Sequence, residues 1–138
     1  MEKIIVDSSI VFASLISPGS KIRWALLGDK YQWYCPNFMA FEIFKHKEKL
    51  LKNKNTTEED LYNCYEKILQ KVHFVNESLI AVEHFIDAWH LCKEIDPKDT
   101  PFVALALELG CKIWSKDEEL VKGLKAKGFD RFLEEDEL

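Results

Sequence analysis

Asp7, Glu42, Asp99 and Asp117 each lie where an apolar, strand-like run gives way to a helix, or early within that helix. In a parallel α/β sheet such positions converge on one edge. Carboxylates gathered there repel one another unless a divalent cation neutralises them. An all-oxygen donor set with positions left open for water and phosphate oxygens suits Mg²⁺ or Mn²⁺. Such ions lower the pKa of water to make a nucleophile and stabilise charge on a phosphoryl group and its leaving oxygen. No Ser-His-Asp or Cys-His nucleophile arrangement is evident, and there is no glycine-rich phosphate loop. Phosphodiester cleavage by metal-activated water is therefore the first chemistry these residues suggest.

Each acid also has an ordinary reading. Asp99 and Asp117 fall in or beside first helical turns, where a carboxylate satisfies free N–H groups and meets the positive end of the helix dipole. Ser115-Lys116-Asp117-Glu118 fits a capping box, with Glu118 reaching back to Ser115. Glu42 resists this explanation, because it interrupts the apolar run Phe38-Met39-Ala40-Phe41-Ile43-Phe44. It lies ~7.5 Å along the helix from Asn37, too far for capping yet still near the strand-end edge. A carboxylate among such neighbours needs a hydrogen bond, an ion-pair partner such as lysine, or a bound cation.

The elements that must position these acids alternate. Lys3 to Val6 reads as a strand, followed by a helix through Ile10, Val11, Leu15 and Ile16 that Pro18-Gly19 breaks. Ser20 caps a second helix to about Gly28, Tyr31 to Cys35 reads as a strand, and Pro36-Asn37 opens the helix containing Glu42. Thr56-Thr57-Glu58-Glu59 has the form of a capping box for a helix to about Gln70. Val72 to Val75 is a third strand, and Leu79 to about Glu94 an amphipathic helix. A polar turn from Asp96 to Thr100 leads into an apolar helix from Pro101 to Leu109, ended by Gly110 and expected to be deeply buried. Lys112 to Trp114 makes a fourth strand, Asp117 to Lys127 a last helix, and Phe129 to Leu133 a short fifth strand. This pattern predicts an α/β fold, with a mostly parallel sheet covered on both faces.

With 138 residues, 47% of them hydrophobic, residues 1–138 are expected to form a single domain. No apolar stretch approaches the ~20 residues of a membrane span, and Met1-Glu2-Lys3 does not open a signal peptide. Cys35, Cys64, Cys92 and Cys111 show no zinc-site or C-x-x-C spacing, so reduced thiols in a cytoplasmic protein are expected. The net charge of −5 argues against a broad basic grip on nucleic acid. Charge is segregated, however, with lysines at 45, 47, 49, 52 and 54 and an acidic run from Glu134 to Glu137. Residues 134–138 are expected to form a disordered, solvated tail.

At the acidic positions the chain resembles the PIN domain (PilT N-terminus-like) family, which includes the VapC-like toxin ribonucleases of toxin–antitoxin pairs. The resemblance covers nearly the whole chain. It rests on Ile4-Ile5-Val6-Asp7-Ser8-Ser9, on Glu42, on Asp99-Thr100-Pro101-Phe102-Val103-Ala104-Leu105-Ala106, and on Ile113-Trp114-Ser115-Lys116-Asp117. It implies a three-layer α/β/α sandwich whose parallel sheet of four or five strands is ordered 3-2-1-4-5. It further implies endoribonuclease activity with Mg²⁺ or Mn²⁺, with Asp7, Glu42, Asp99 and Asp117 as the metal-binding acids. Ser9 and Ser115 match supporting hydroxyl positions. Homodimers are frequent in the family, and toxin members are inhibited by a cognate antitoxin. Two features depart from its pattern: a long helical insertion carrying the lysine stretch, and Asp96, read as either a supporting acid or a turn cap.

Lys45, Lys47, Lys49 and Lys52 follow Glu42, so RNA phosphates can lie on them, although a solvated lysine face is the plainer reading. Trp24, Trp33, Trp89 and Trp114 sit in apolar patterns and are expected in the core, and the four histidines are read as structural. The rival from another class is a non-catalytic PIN domain that binds RNA or a protein partner. A haloacid-dehalogenase-like phosphatase would want an aspartate where Ser9 stands.

Overall fold

A computed structural model describes residues 1–138. In chain order the elements are β1 (Lys3–Val6), α1 (Ser8–Ile16), α2 (Lys21–Leu27), β2 (Gln32–Pro36), α3 (Phe38–Lys45), α4 (Lys47–Leu51), α5 (Glu58–Lys71), β3 (Val72–Val75), α6 (Val82–Cys92), α7 (Thr100–Leu109), β4 (Lys112–Trp114) and α8 (Glu118–Ala126). The four strands form one parallel sheet in the order β3-β2-β1-β4, flanked by helices as in a PIN-like α/β/α sandwich. No single helix is long and apolar enough to cross a membrane.

The sequence dictates the centre of the sheet directly. Ile4, Ile5 and Val6 of β1 are fully buried because β1 pairs on both edges and is covered on both faces. Above it lies α7, whose residues Phe102 to Ala106 are all buried, which accounts for a helix apolar on every side. Gly110 ends α7 in the left-handed conformation at φ 64°, letting the chain turn at once into β4. Trp33 and Trp114 pack against each other in the core with centroids 5.1 Å apart. All four cysteines are buried and unpaired, and burial pushes Cys92 up to about 12 and Cys111 to about 11, so neither is a thiolate near neutrality.

The expected fifth strand shrinks to a single parallel bridge between Ile113 and Phe132. It lies at the expected edge, beside β4. Two backbone bonds join the segment to β4, from the Ile113 N–H to the Arg131 carbonyl and from the Leu133 N–H to the Ile113 carbonyl, while the Phe132 N–H turns back to the Asp130 carbonyl. The acidic segment is also not a disordered tail. Glu135–Glu137 forms a 3-10 turn, the Glu137 carboxylate pairs with Lys112 at 2.7 Å, and its backbone carbonyl accepts from Tyr31 at 2.6 Å and Lys30 at 2.7 Å. Leu138 packs against the core. Lys30 and Lys112, which hold Glu137, lie more than 20 residues away in the chain, so local composition gave no sign of them.

Two tryptophans are not core residues: Trp24 is 83% exposed on the outer side of α2, and Trp89 is 48% exposed on α6. The seven residues of α2 are too few for periodicity to say which side faces inward, and on α6 the inward side is the one bearing Ala88 and Cys92. Capping is shifted as well, since Thr57 rather than Thr56 caps α5, accepting from the Asp60 N–H at 3.0 Å. Before α6 the chain makes a separate 3-10 turn over Glu77–Leu79, so that helix starts three residues later than expected.

The inserted helices are anchored by Arg23. Its guanidinium donates to the carbonyls of Ser14 (2.6 Å) and Leu15 (3.1 Å) at the end of α1, and in a two-point bond to both Asp60 oxygens at 3.0 Å. This satisfies helix-end carbonyls and fixes α5 against α1. The guanidinium beside Asp60 holds its carboxyl below the usual range. A depressed acid stabilises the fold above the unfolded-state pKa of about 4 and stops doing so as pH falls through its folded value. We expect Arg23→Ala to cost about 2–3 kcal/mol in denaturant unfolding at pH 7, with the deficit narrowing in acid. A loss below about 0.5 kcal/mol would show that the anchor is dispensable.

Candidate active site

Asp7 ends β1 and caps α1. Its Oδ1 accepts from the Ser9 hydroxyl at 2.5 Å and from the Ile10 N–H at 3.3 Å, while its own N–H donates to the Trp114 carbonyl at 3.2 Å. Ser9 in turn accepts the Lys116 N–H at 2.9 Å. One aspartate and one serine thereby fasten the end of β1 to the turn after β4. Only 2% of Asp7 is exposed, and this burial pushes its carboxyl up to about 6. The Ser115 and Ser9 hydroxyls and the Ile10 N–H favour the charged form, and Asp117 opposes it.

Asp117 does cap its helix, accepting from Leu120 N–H at 3.1 Å. The capping box centred on Ser115 is not formed: Ser115 instead accepts the Asp117 N–H at 3.0 Å, two residues on, so the cap falls to Asp117. Asp96 caps the 3-10 turn Pro97–Asp99 by accepting from Lys98 N–H at 3.1 Å, the turn-cap alternative.

Asp99 precedes α7 yet makes no capping bond to it. Its carboxyl is pushed up to about 7, first by burial and then by the negative charges of Asp96, Asp7, Asp117 and Glu42. All of the acids singled out from the sequence therefore act on one another at Asp99, from four different segments of the chain. Glu42 is half-buried in α3, and its Oε1 is cut off from solvent with no hydrogen-bond partner. Burial raises its pKa; the Ser8 hydroxyl and the Lys98 and Lys45 ammonium groups counter the shift, and Asp96 adds to it. Ser8 and Lys98 did not stand out in the sequence. Their only signal was adjacency, one following Asp7 and the other preceding Asp99.

Of the lysine stretch, Lys45 ends α3 near Glu42, whereas Lys47, Lys49 and Lys52 lie along or just after α4 and face solvent. Lys47 sits 4.3 Å from the Phe44 ring centroid.

The model of the PIN domain family matches residues 5–136. The chain belongs to the PIN domain family. No curated protein matches the sequence. PIN domains are generally nucleases and typically use divalent metals. In this PIN domain, no three His, Cys, Asp or Glu side chains stand close enough to form a closed cation cage. The donor chemistry nevertheless fits a hard divalent cation. The acids are oxygen donors, Glu42 has a buried oxygen without a partner, and a small ion such as Mg²⁺ keeps several of its waters and needs few protein ligands.

Because Asp7 and Asp99 have raised pKa values, the folded protein without metal binds more protons than the unfolded chain between pH about 4 and about 7. These two groups therefore lower stability as pH rises through that window, and the loss is complete above it. We expect Asp99→Asn to raise the stability of the metal-free PIN domain by about 1–2 kcal/mol at pH 7.5 and to have little effect at pH 4. Thermal melts in EDTA at both pH values check this, and equal shifts at the two would remove the repulsive cluster.

Proposed function

We propose that this PIN domain is a metal-dependent endoribonuclease that hydrolyses RNA phosphodiester bonds, with Asp7, Glu42, Asp99 and Asp117 as its metal-binding acids. The observation that carries the reading is Asp99, an acid at a helix start that does no capping and lies in the field of four other carboxylates. A fold maintained by capping alone has no use for such repulsion.

Mg²⁺ or Mn²⁺, when bound, supplies the Lewis acidity that makes water a nucleophile at neutral pH and offsets charge on the phosphate oxygens. The remaining roles belong to the chain. Ser9 and the Ile10 N–H hold Asp7 by one oxygen and fix its rotamer. Ser115 orients the loop that presents Asp117, and Asp96 strengthens the negative field at Asp99. Glu42 has a buried oxygen without a partner that would be free to take a cation, with the Ser8 hydroxyl as its neighbour. Of the lysines near Glu42, Lys45 acts directly on its carboxylate, whereas Lys47, Lys49 and Lys52 face solvent and form the rival track for RNA phosphates.

A toxin role, with a cognate antitoxin as protein partner, belongs to the same proposal, as does homodimer formation. What supports a protein interface is the run of exposed apolar residues Val82, Ile86 and Trp89 along α6. Free, buried cysteines suit a reducing cytoplasm.

Purified Asp7→Asn and Asp99→Asn variants should lose metal-dependent RNA cleavage by at least about 100-fold while melting cooperatively. Calorimetric titration with Mn²⁺ should give binding by the wild type that strengthens as pH rises toward 7, because Asp7 and Asp99 must shed protons to act as ligands. Full activity of Asp99→Asn would defeat the assignment. Absence of Mn²⁺ binding, with an unchanged melting temperature, would favour the non-catalytic PIN domain instead.

A further inference from the structure

A cleft of about 850 Å³ opens beside Ser115, between the start of α2, the turn after β4, α8 and the acidic segment. Lys21, Lys116, Lys122 and Lys125 line it. From the acidic segment, Glu135 reaches to 4.0 Å from the Lys21 ammonium and Glu134 to 3.9 Å from that of Lys125. Lys116 and Lys122 are left with no ion-pair partner. The only other carboxylate side chain on the wall is Glu118, so the fixed wall is basic and the acidic segment supplies the counter-charge.

Three features separate this cleft from an ordinary solvated lysine face. It has an apolar floor, to which Trp114, Val121 and Leu133 contribute. It runs into the candidate active site, since Ser115 on its rim accepts the Asp117 N–H, and Lys116 beside it donates its N–H to Ser9, the hydroxyl that bonds Asp7. And the two pairs from the acidic segment are long and solvent-exposed: the Glu135 and Glu134 side chains are 84% and 63% exposed. Pairs of that kind contribute little to stability and are readily exchanged for other anions.

We infer that this cleft carries the phosphate backbone of single-stranded RNA toward the acidic site, with Glu134 and Glu135 occupying phosphate positions until the strand displaces them. The inference rests on the nuclease reading above. Lysine ammonium groups bind phosphates as point charges, and an apolar floor accepts unstacked bases or ribose. A rigid duplex instead needs a wider, more evenly basic surface, which a net charge of −5 does not provide. The acidic segment makes binding conditional, because a weakly held or poorly placed strand must compete with carboxylates already paired to Lys21 and Lys125. Lys47, Lys49 and Lys52 on the other arm have no comparable cleft joining them to Ser115.

The test is binding of a labelled short oligouridylate in EDTA, which prevents metal-dependent cleavage, followed by fluorescence anisotropy over a salt series. Lys116→Gln/Lys122→Gln should weaken binding about tenfold at low salt and reduce the slope of log K against log salt by about 1.4, from ~0.7 per phosphate contact. Glu134→Gln/Glu135→Gln should bind several-fold more tightly at low salt, with the gain vanishing at high salt. Lys47→Gln/Lys49→Gln/Lys52→Gln should leave the slope unchanged. An unaltered slope in the Lys116/Lys122 variant, or a slope loss confined to the Lys47/Lys49/Lys52 variant, would overturn the cleft while a cleaving wild type keeps the nuclease reading. A wild type that neither binds nor cleaves RNA would overturn both.

Discussion

Burying Asp7 is the constraint from which the rest of this molecule follows. A carboxylate with 2% exposure after the buried run Ile4-Ile5-Val6 is costly, and its pKa, pushed to about 6, records that cost. The chain offsets part of it locally through the Ser9 hydroxyl and the Ile10 N–H in the first turn of α1. The same contacts are structural ties. Ser9, while bonded to the carboxylate, also accepts the Lys116 N–H, and the Asp7 N–H donates to the Trp114 carbonyl, so the turn after β4 is clamped beside the end of β1. The end of β1 and the loop carrying Asp117 are thus held together by one backbone bond and by the hydroxyl that serves the buried carboxylate.

Sheet order then decides what else arrives there. After β1 the chain moves outward through β2 and β3 and returns on the other side as β4, so the reversal lies at β1. Crevices form at the carboxyl ends of strands at such reversals. The helix α7, buried from Phe102 to Ala106, packs on the sheet and brings Asp99 to this edge, while α3 supplies Glu42. An apolar helix core with an acid at its entrance solves two problems together. The hydrophobic side chains fix the helix, and the fixed helix holds an acid in a field it would otherwise avoid.

The charges away from the cluster are arranged by similar bargains. The acidic segment folds back because Lys30, Lys112 and Tyr31 meet Glu137 and because Leu138 has apolar surface to cover. In doing so it brings two further glutamates to the lysine-lined cleft. The inserted helices carrying the other lysines are held by Arg23, which serves as a carbonyl donor to α1 and as an ion-pair partner of Asp60. A chain with a net negative charge thus keeps two separate basic surfaces flanking its acidic centre.

Alternation of apolar runs with helical periodicity determined the α/β class, the four strands, and the depth of α7, because burial on both faces requires continuous apolar sequence. Glu42 was legible as anomalous because no cap or turn explains an acid inside an apolar helix run. Tertiary structure alone decided the other features. Asp99 and Asp117 look alike as helix-start acids, yet Asp117 caps and Asp99 does not, a difference set by the backbone of the preceding 3-10 turn. Trp24 and Trp89 read as core residues but face outward, because an apolar residue in a helix carries no record of whether a neighbouring element covers it. The acidic segment read as solvated for the same reason: its partners lie far away in the chain, and charge pairing across such distances leaves no mark on local composition.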